Sequence, residues 1–331
     1  IDFEMLNKNP KLNKKDFQNK ENFALIDIFK LFFALCIVGL HTGFLYNYAF
    51  GYYVHTIIFR LGVPFFFIAS GYFLAKKDVG TNQKNICLDF IKKLLPMYLL
   101  LGTTYIILFA IRYNDFSASS LLINFWYLIT GRSLSVMWYV GALITSAIIL
   151  LHLNTKKKLL YSLILFLVLY IIGLLFNTYS FLLINGTFDF IYRFLVTQFH
   201  SNSNFLFVGF LFFGIGYYIS KYELPNFIRN NKNRGLLMLI CLLLLIFESI
   251  LIKRYLDVVS NYEYFFGHLL LIPTLFLFLT NSKLKFNTTG IRKLSTNIYY
   301  FHFIIILLLL AINKLYTNSF LNNPNIFYLS S

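Results

Sequence analysis

Charge is scarce in this chain: only 13% of its 331 residues are Asp, Glu, Lys or Arg, about half the share usual in water-soluble domains. That shortage excludes an ordinary soluble domain. Acidic residues are scarcer still, 13 against 29 basic, for a net charge of +16. The basic residues lie in short stretches between apolar runs, where they set orientation and meet anionic headgroups, so nucleic acid is not an expected partner. Cysteine is limited to Cys36, Cys87 and Cys241, in or beside apolar segments and odd in number, so they say nothing about a disulfide framework. Neither these nor the six histidines show ligand spacing, so no metal is predicted. No 20–50-residue repeat and no inverted pair of halves is visible. The polar run before Glu21 is no signal peptide, because its apolar follower is too long and lacks a cleavage-type site. Ile1 is not an initiator Met, and the amino end is read as trimmed.

What is abundant is apolar: 58% hydrophobic residues, 20% aromatic, and a mean hydropathy of +0.68. A membrane-spanning helix needs about 20 apolar residues. Such runs fall near 23–44, 51–75, 94–112, 136–153, 159–177, 204–220, 235–252, 264–280 and 295–314. Two shorter runs, 117–131 and 187–200, read as interfacial or re-entrant helices. The stretch Asn322 to Ser331, with Pro324 ahead of Ile-Phe-Tyr-Leu, reads as the opening of a tenth span in which the sequence stops. The fold class is therefore all-α and integral to the membrane, with nine to ten spans forming one domain from residue 23. Loop charge orients it. Lys8, Lys11, Lys14, Lys15 and Lys20 precede the first span, and alternate loops carry Lys76, Lys77, Lys84, Lys92 and Lys93, then Lys156, Lys157 and Lys158. Lys221, Arg229, Lys232 and Arg234 follow, and finally Lys283, Lys285, Arg292 and Lys293. This places the polar segment 1–22 in the cytoplasm.

Ionisable groups at membrane depth are costly and usually functional. The first span holds Asp27, Lys30 and His41. Eleven residues separate Lys30 from His41, three helical turns plus roughly 20°, so both share a face about 16 Å apart along the axis. Singly they read as a snorkelling Lys and an interfacial His; together they suggest a site. Arg60 lies in the second span ahead of Pro64, Ser70 and Gly71. It stays protonated and, if buried, needs several carbonyls or an anion, either a ligand or Glu248 of the seventh span as a bundle-holding pair. Ser295, Tyr299 and His302 recur at helical spacing on one face of the ninth span, a pattern shared with ordinary interhelical hydrogen bonding. Trp138 and Tyr139 open the fourth span at the outer surface, as an aromatic belt also would. His55, His200 and His268 lie near that surface too, and His152 falls at an inner loop.

Taken in order, these elements resemble the acyltransferase-3 family of bacterial membrane acyltransferases. Lys30 and His41 are similar to its basic-residue, ten-residue gap, histidine signature. Phe59-Arg60-Leu-Gly-Val-Pro64-Phe-Phe-Phe-Ile-Ala-Ser70-Gly71-Tyr72-Phe73 resembles its second-span motif, and Val136-Met-Trp138-Tyr139-Val140 its Trp-Phe-Leu-type element. Gly209 to Tyr217 resembles the later span ending in Gly-Tyr, and Ser295-Thr-Asn-Ile-Tyr299-Tyr-Phe-His302 its Ser…Tyr…His element. The matches run from about residue 23 to 310. Two departures stand out: Lys30 replaces the family's frequent Arg, losing bidentate phosphate geometry, and the run from His200 to Asn204 lacks an expected Arg. The family also includes the membrane part of serine racemases tied to glycopeptide resistance.

The resemblance implies transfer of an acyl group, usually acetyl, from cytoplasmic acyl-CoA to a hydroxyl on an extracytoplasmic acceptor, a carbohydrate such as a cell-surface glycan. It implies a multi-pass protein of the bacterial cytoplasmic membrane whose partners are the bilayer, acetyl-CoA and that acceptor. His41 and Arg60 are then the expected catalytic groups. Lys30, Arg60, Ser70, Tyr299 and His302 are the expected donor-binding groups, and Trp138, Tyr139, Glu248 and His268 face the acceptor side. A different class stays open: a transporter of a small solute such as an amino acid, with His41 and Glu248 as a proton relay.

Overall fold

The computed structural model of the chain describes residues 23–78, 82–130, 135–184, 186–199, 201–255, 263–282, 284 and 286–317. The amino-terminal segment 1–22 and the expected tenth span lie outside the described residues, as does His200. Among the described residues the structure is helical, with no strand. The helices are α1 (Ala24–Thr42), α2 (Gly51–Lys77), α3 (Gln83–Tyr113), α4 (Ala118–Thr130), α5 (Trp138–Leu151) and α6 (Lys156–Leu175). They continue as α7 (Asp189–Phe199), α8 (Phe205–Lys221), α9 (Asn231–Tyr255), α10 (Phe266–Thr280) and α11 (Thr289–Thr317).

Local chemistry sets the ends. Gly43 closes α1 and Asn114 closes α3, both with positive φ, the conformation that satisfies the last carbonyls of a helix. Asn82, Thr155 and Asn204 begin α3, α6 and α8 by accepting backbone N–H groups on their side-chain oxygens. Two helices are not α throughout. In α2, Val54–Ile58 is a π segment followed by a 3-10 turn at Phe59–Leu61. Pro64 lies just beyond; it has no N–H to offer and its ring crowds the carbonyl four residues back, at Arg60. In α8, Phe205–Gly209 is a second π segment.

Five helices among the described residues, α1, α2, α3, α6 and α9, contain stretches long and apolar enough to cross a membrane. Their outward faces are strongly apolar, as with Leu99, Leu100, Ile107 and Ile111 on α3 and Leu239, Leu243, Leu244 and Phe247 on α9. Exposed surface of that kind suits lipid, and the chain is a multi-pass membrane protein. Of the remaining expected spans, α5, α8 and α10 are shorter, with 14, 17 and 15 residues, and α11 runs for 29. The shortness of α5 has a packing reason. Most of its side chains, from Tyr139 to Leu150, are buried against other helices, so it meets little lipid itself. The two short segments expected from the sequence are α4 and α7, with 13 and 11 residues and exposed Leu122, Trp126, Phe190 and Phe194.

The tightest helix pair is α2 with α8. A Cβ on Gly71 would stand 1.9 Å from the Phe213 carbonyl oxygen, and one on Gly216 would stand 2.1 Å from that of Ile68. The two backbones touch because both positions lack side chains. At the lysine-rich end of this pair, Tyr217 donates to Asp78 at 2.6 Å and Lys221 pairs with the same carboxylate. Lys221 also reaches Gln83, whose amide donates to the Leu150 and Leu153 carbonyls. This network ties α2, α3, α5 and α8 together. Helix α1 packs against α2 and α11, which sets the frame for the site.

Candidate functional site

The site is built along α1, whose two ends carry opposite kinds of polar group. Near the start, Lys30 Nζ lies 4.0 Å from Asp27 Oδ1 and 4.4 Å from the centre of the Phe73 ring. Asp27 is buried, accepts the Thr288 hydroxyl at 2.5 Å and lies 3.3 Å from Arg292 Nε. One buried carboxylate thus holds two cations, which leaves this end positive. Lys76, lying over the Phe23 and Tyr72 rings, adds a third positive group nearby.

At the far end of α1, the His41 ring centre is 5.3 Å from that of His302, with the planes 35° apart. His302 Nδ1 lies 2.9 Å from the Ile298 carbonyl and 2.8 Å from that of Tyr299. Both are acceptors, so Nδ1 carries the hydrogen and Nε2 presents a lone pair. That Nε2, and Nδ1 of His41, are buried without a hydrogen-bond partner among the described residues. Buried polar atoms are nearly always paired, so two unpaired ones on facing rings set this pair apart from ordinary interhelical packing. The flanking Tyr299 hydroxyl donates to the Val136 carbonyl at 2.7 Å, and its ring packs against Tyr139, which lies 3.3 Å from the Ser70 hydroxyl.

Arg60 sits on the 3-10 turn of α2, which packs against α1. No ion pair between Arg60 and Glu248 forms among the described residues, so the bundle-holding alternative is not what the structure shows. Glu248 instead caps α10 from the side. It accepts the Phe266 and Gly267 N–H groups at 2.8 and 2.6 Å and the Tyr179 hydroxyl, a carboxylate at a helix amino end where the dipole favours it. His268 is satisfied as well: Nδ1 accepts the Phe265 N–H at 3.2 Å and Nε2 donates to the Thr56 carbonyl at 2.8 Å. Trp138 packs against Phe67. The structure thus gathers His41 and His302 at one end, with Tyr299, Tyr139 and Ser70 stacked beside the pair and the turn that carries Arg60 packed on α1. Lys30 stands at the other end, and Glu248, His268 and Trp138 make structural bonds and packing contacts.

Sequence reasoning missed Arg292, Thr288 and Phe73 as companions of Lys30, and missed that His302 faces His41. Asp27 and Thr288 are 261 positions apart, and nothing in a single sequence signals their meeting. Among the described residues, no group of three His, Cys, Asp or Glu side chains stands where it could hold a metal ion.

Two facing imidazoles thus stand at the far end of α1, and a cationic cluster shared with α11 stands at its start. The chain belongs to the acyltransferase-3 family, whose acyltransferase domain matches residues 23–331. Its curated relatives include an amino-acid racemase of Enterococcus faecalis, 29% identical over 293 residues, covering 85% of this chain and 39% of that protein. A second amino-acid racemase of the same organism is 25% identical over 314 residues, 90% of this chain and 43% of the relative. A serine/alanine racemase of Enterococcus gallinarum is 32% identical over 143 residues, 40% of this chain and 20% of that protein. The chain therefore spans about two fifths of the length of the first two relatives. No solved structure matches it.

Proposed function

We propose that this chain moves an acyl group, acetyl in the first instance, from acyl-CoA on the cytoplasmic side of a bacterial cell membrane to a hydroxyl of an extracytoplasmic acceptor. A cell-surface glycan has the chemistry required of that acceptor. The observation that carries this reading is His41, half-buried and facing His302, on the same helix as Lys30 and about 16 Å from it. Lys30 and Arg292 suit the phosphates of the donor, and the thin pantetheine arm spans the distance to His41. There the imidazole takes the proton from the acceptor hydroxyl as its oxygen bonds to the thioester carbonyl carbon. The carbon–sulfur bond then breaks, and the proton passes from His41 to the departing sulfur. Arg60 suits the oxyanion formed in between. Such a base contributes about 10²–10⁴-fold. The test is label transfer from acetyl-CoA by inverted membrane vesicles containing the protein. We expect label in an envelope glycan or released small molecule, and none with His41→Ala; an active His41→Ala variant removes the scheme.

The names of the racemase relatives favour a second reading, transport of a small amino acid. Its mark is uptake that depends on an ion gradient and ignores acyl-CoA. The three donors held by Glu248 count against its part in a proton relay.

A further inference from the structure

We propose that His302 is a positioning residue for His41: its Nε2 accepts the His41 Nδ1–H, which leaves His41 Nε2 as the free base. The inference rests on the acyl-transfer reading and adds a member to that site. The geometry carries it in three steps. His302 cannot rotate its protonated nitrogen inward, because Nδ1–H is held by the Ile298 and Tyr299 carbonyls of its own helix. Its Nε2 is therefore an acceptor, and it needs a donor. Of the two polar rings in contact with it, Tyr299 already gives its hydroxyl to Val136, and His41 has Nδ1 unpaired with the ring centres 5.3 Å apart. Hydrogen bonds of this kind are often long before substrate arrives and tighten in the reacting complex.

The arrangement follows the logic of a nucleophile–base–orienter triad, with an imidazole in the place usually held by a carboxylate. At a buried site a neutral orienter has an advantage, since a carboxylate there would bury a further charge at a cost. When His41 takes the acceptor's proton, its Nδ1–H bond to His302 strengthens, and the positive charge spreads over two rings. The Phe303 ring, 5.4 Å from that of His41, walls the pair on one side.

The test uses the full chain in nanodiscs with three readouts: kcat and KM for acetyl-CoA, rescue by His302→Gln, and the 15N signal of the His41 ring. We expect His302→Ala to lower kcat about 100-fold, the low end of what a positioned base contributes, with KM for acetyl-CoA nearly unchanged. His302→Gln, whose amide oxygen reaches as far as the imidazole Nε2, should recover roughly 10-fold of that loss. The wild-type His41 should carry its hydrogen on Nδ1, and His302→Ala should mix the tautomers. Unchanged kcat, a loss confined to KM, or a Gln variant no better than Ala overturns the proposal. If the wild type transfers no acetyl label, the acyl-transfer reading falls. The His41 tautomer in wild type and His302→Ala then decides the pairing alone: a fixed Nδ1–H lost on substitution supports it, and an identical signal overturns it.

Discussion

Alanine at Gly71 or Gly216 probes the contact on which the bundle closes. The added methyl on Gly71 would lie 1.9 Å from the Phe213 oxygen, against the 3.4 Å at which ordinary contact begins, so α8 must withdraw by about 1.5 Å. Gly216 demands about 1.3 Å by the same reckoning from 2.1 Å. A gap of even 0.5–1 Å forfeits roughly a quarter to a half of each dispersion contact across it. The neighbours at stake, Phe67, Ile68, Phe213 and Tyr217, are all buried. Overpacking usually costs about 1–3 kcal/mol, and the upper end applies because backbone, not a side-chain tip, must move. Alanine regains roughly 1 kcal/mol of helix propensity, leaving a net loss near 2 kcal/mol for each variant. The double variant should fall short of the sum, since one separation accommodates both methyls. Gly235→Ala is the control: its nearest neighbour would be 3.7 Å away, so it should be neutral or slightly stabilising. Denaturant unfolding in detergent, followed by helical circular dichroism, measures all four. Wild-type stability in both Gly71→Ala and Gly216→Ala would refute the direct contact between α2 and α8.

Other expectations follow from the same structure. Glu248→Gln should lower stability by about 1 kcal/mol, through weaker capping of α10, and leave KM for acetyl-CoA unchanged in a transfer assay. Lys30→Ala and Arg292→Ala should each raise KM for acetyl-CoA about tenfold while saturating donor restores most of kcat, because a phosphate contact of this kind is worth roughly 1.4 kcal/mol. Asp27→Asn should destabilise the chain by about 2 kcal/mol, since it strips Lys30 of its counter-charge, and thermal unfolding would detect it.

The helices were legible because lipid demands long apolar runs, and runs of that length are visible in one sequence. Lys30 and His41 were legible for a related reason. A charge and an imidazole inside such a run are rare, and the helical period places them on one face without any knowledge of neighbours. What the period cannot supply is which helix lies opposite. The meetings of Asp27 with Thr288, His41 with His302 and Glu248 with the start of α10 all depend on how separate helices pack. Arg292 illustrates the loss: counted among loop charges by its position, it closes the Lys30 cluster once α11 is set beside α1. The π segments were equally hidden, apart from Pro64, since no residue pattern distinguishes a wide turn from a regular one.

Those wide turns have a consequence for chain length. A π segment is a regular helix carrying one residue too many: Phe59 bonds back to Val54 and Gly209 to Asn204, each five positions away. Removing a single residue elsewhere in a span swings every later side chain by about 100° and scrambles the packing. Removing one within Val54–Ile58 or Phe205–Gly209 restores the ordinary turn and leaves the faces before and after it in place. These two points are therefore where the bundle tolerates a deletion, and in α2 its cost is local: the Thr56 carbonyl that His268 holds.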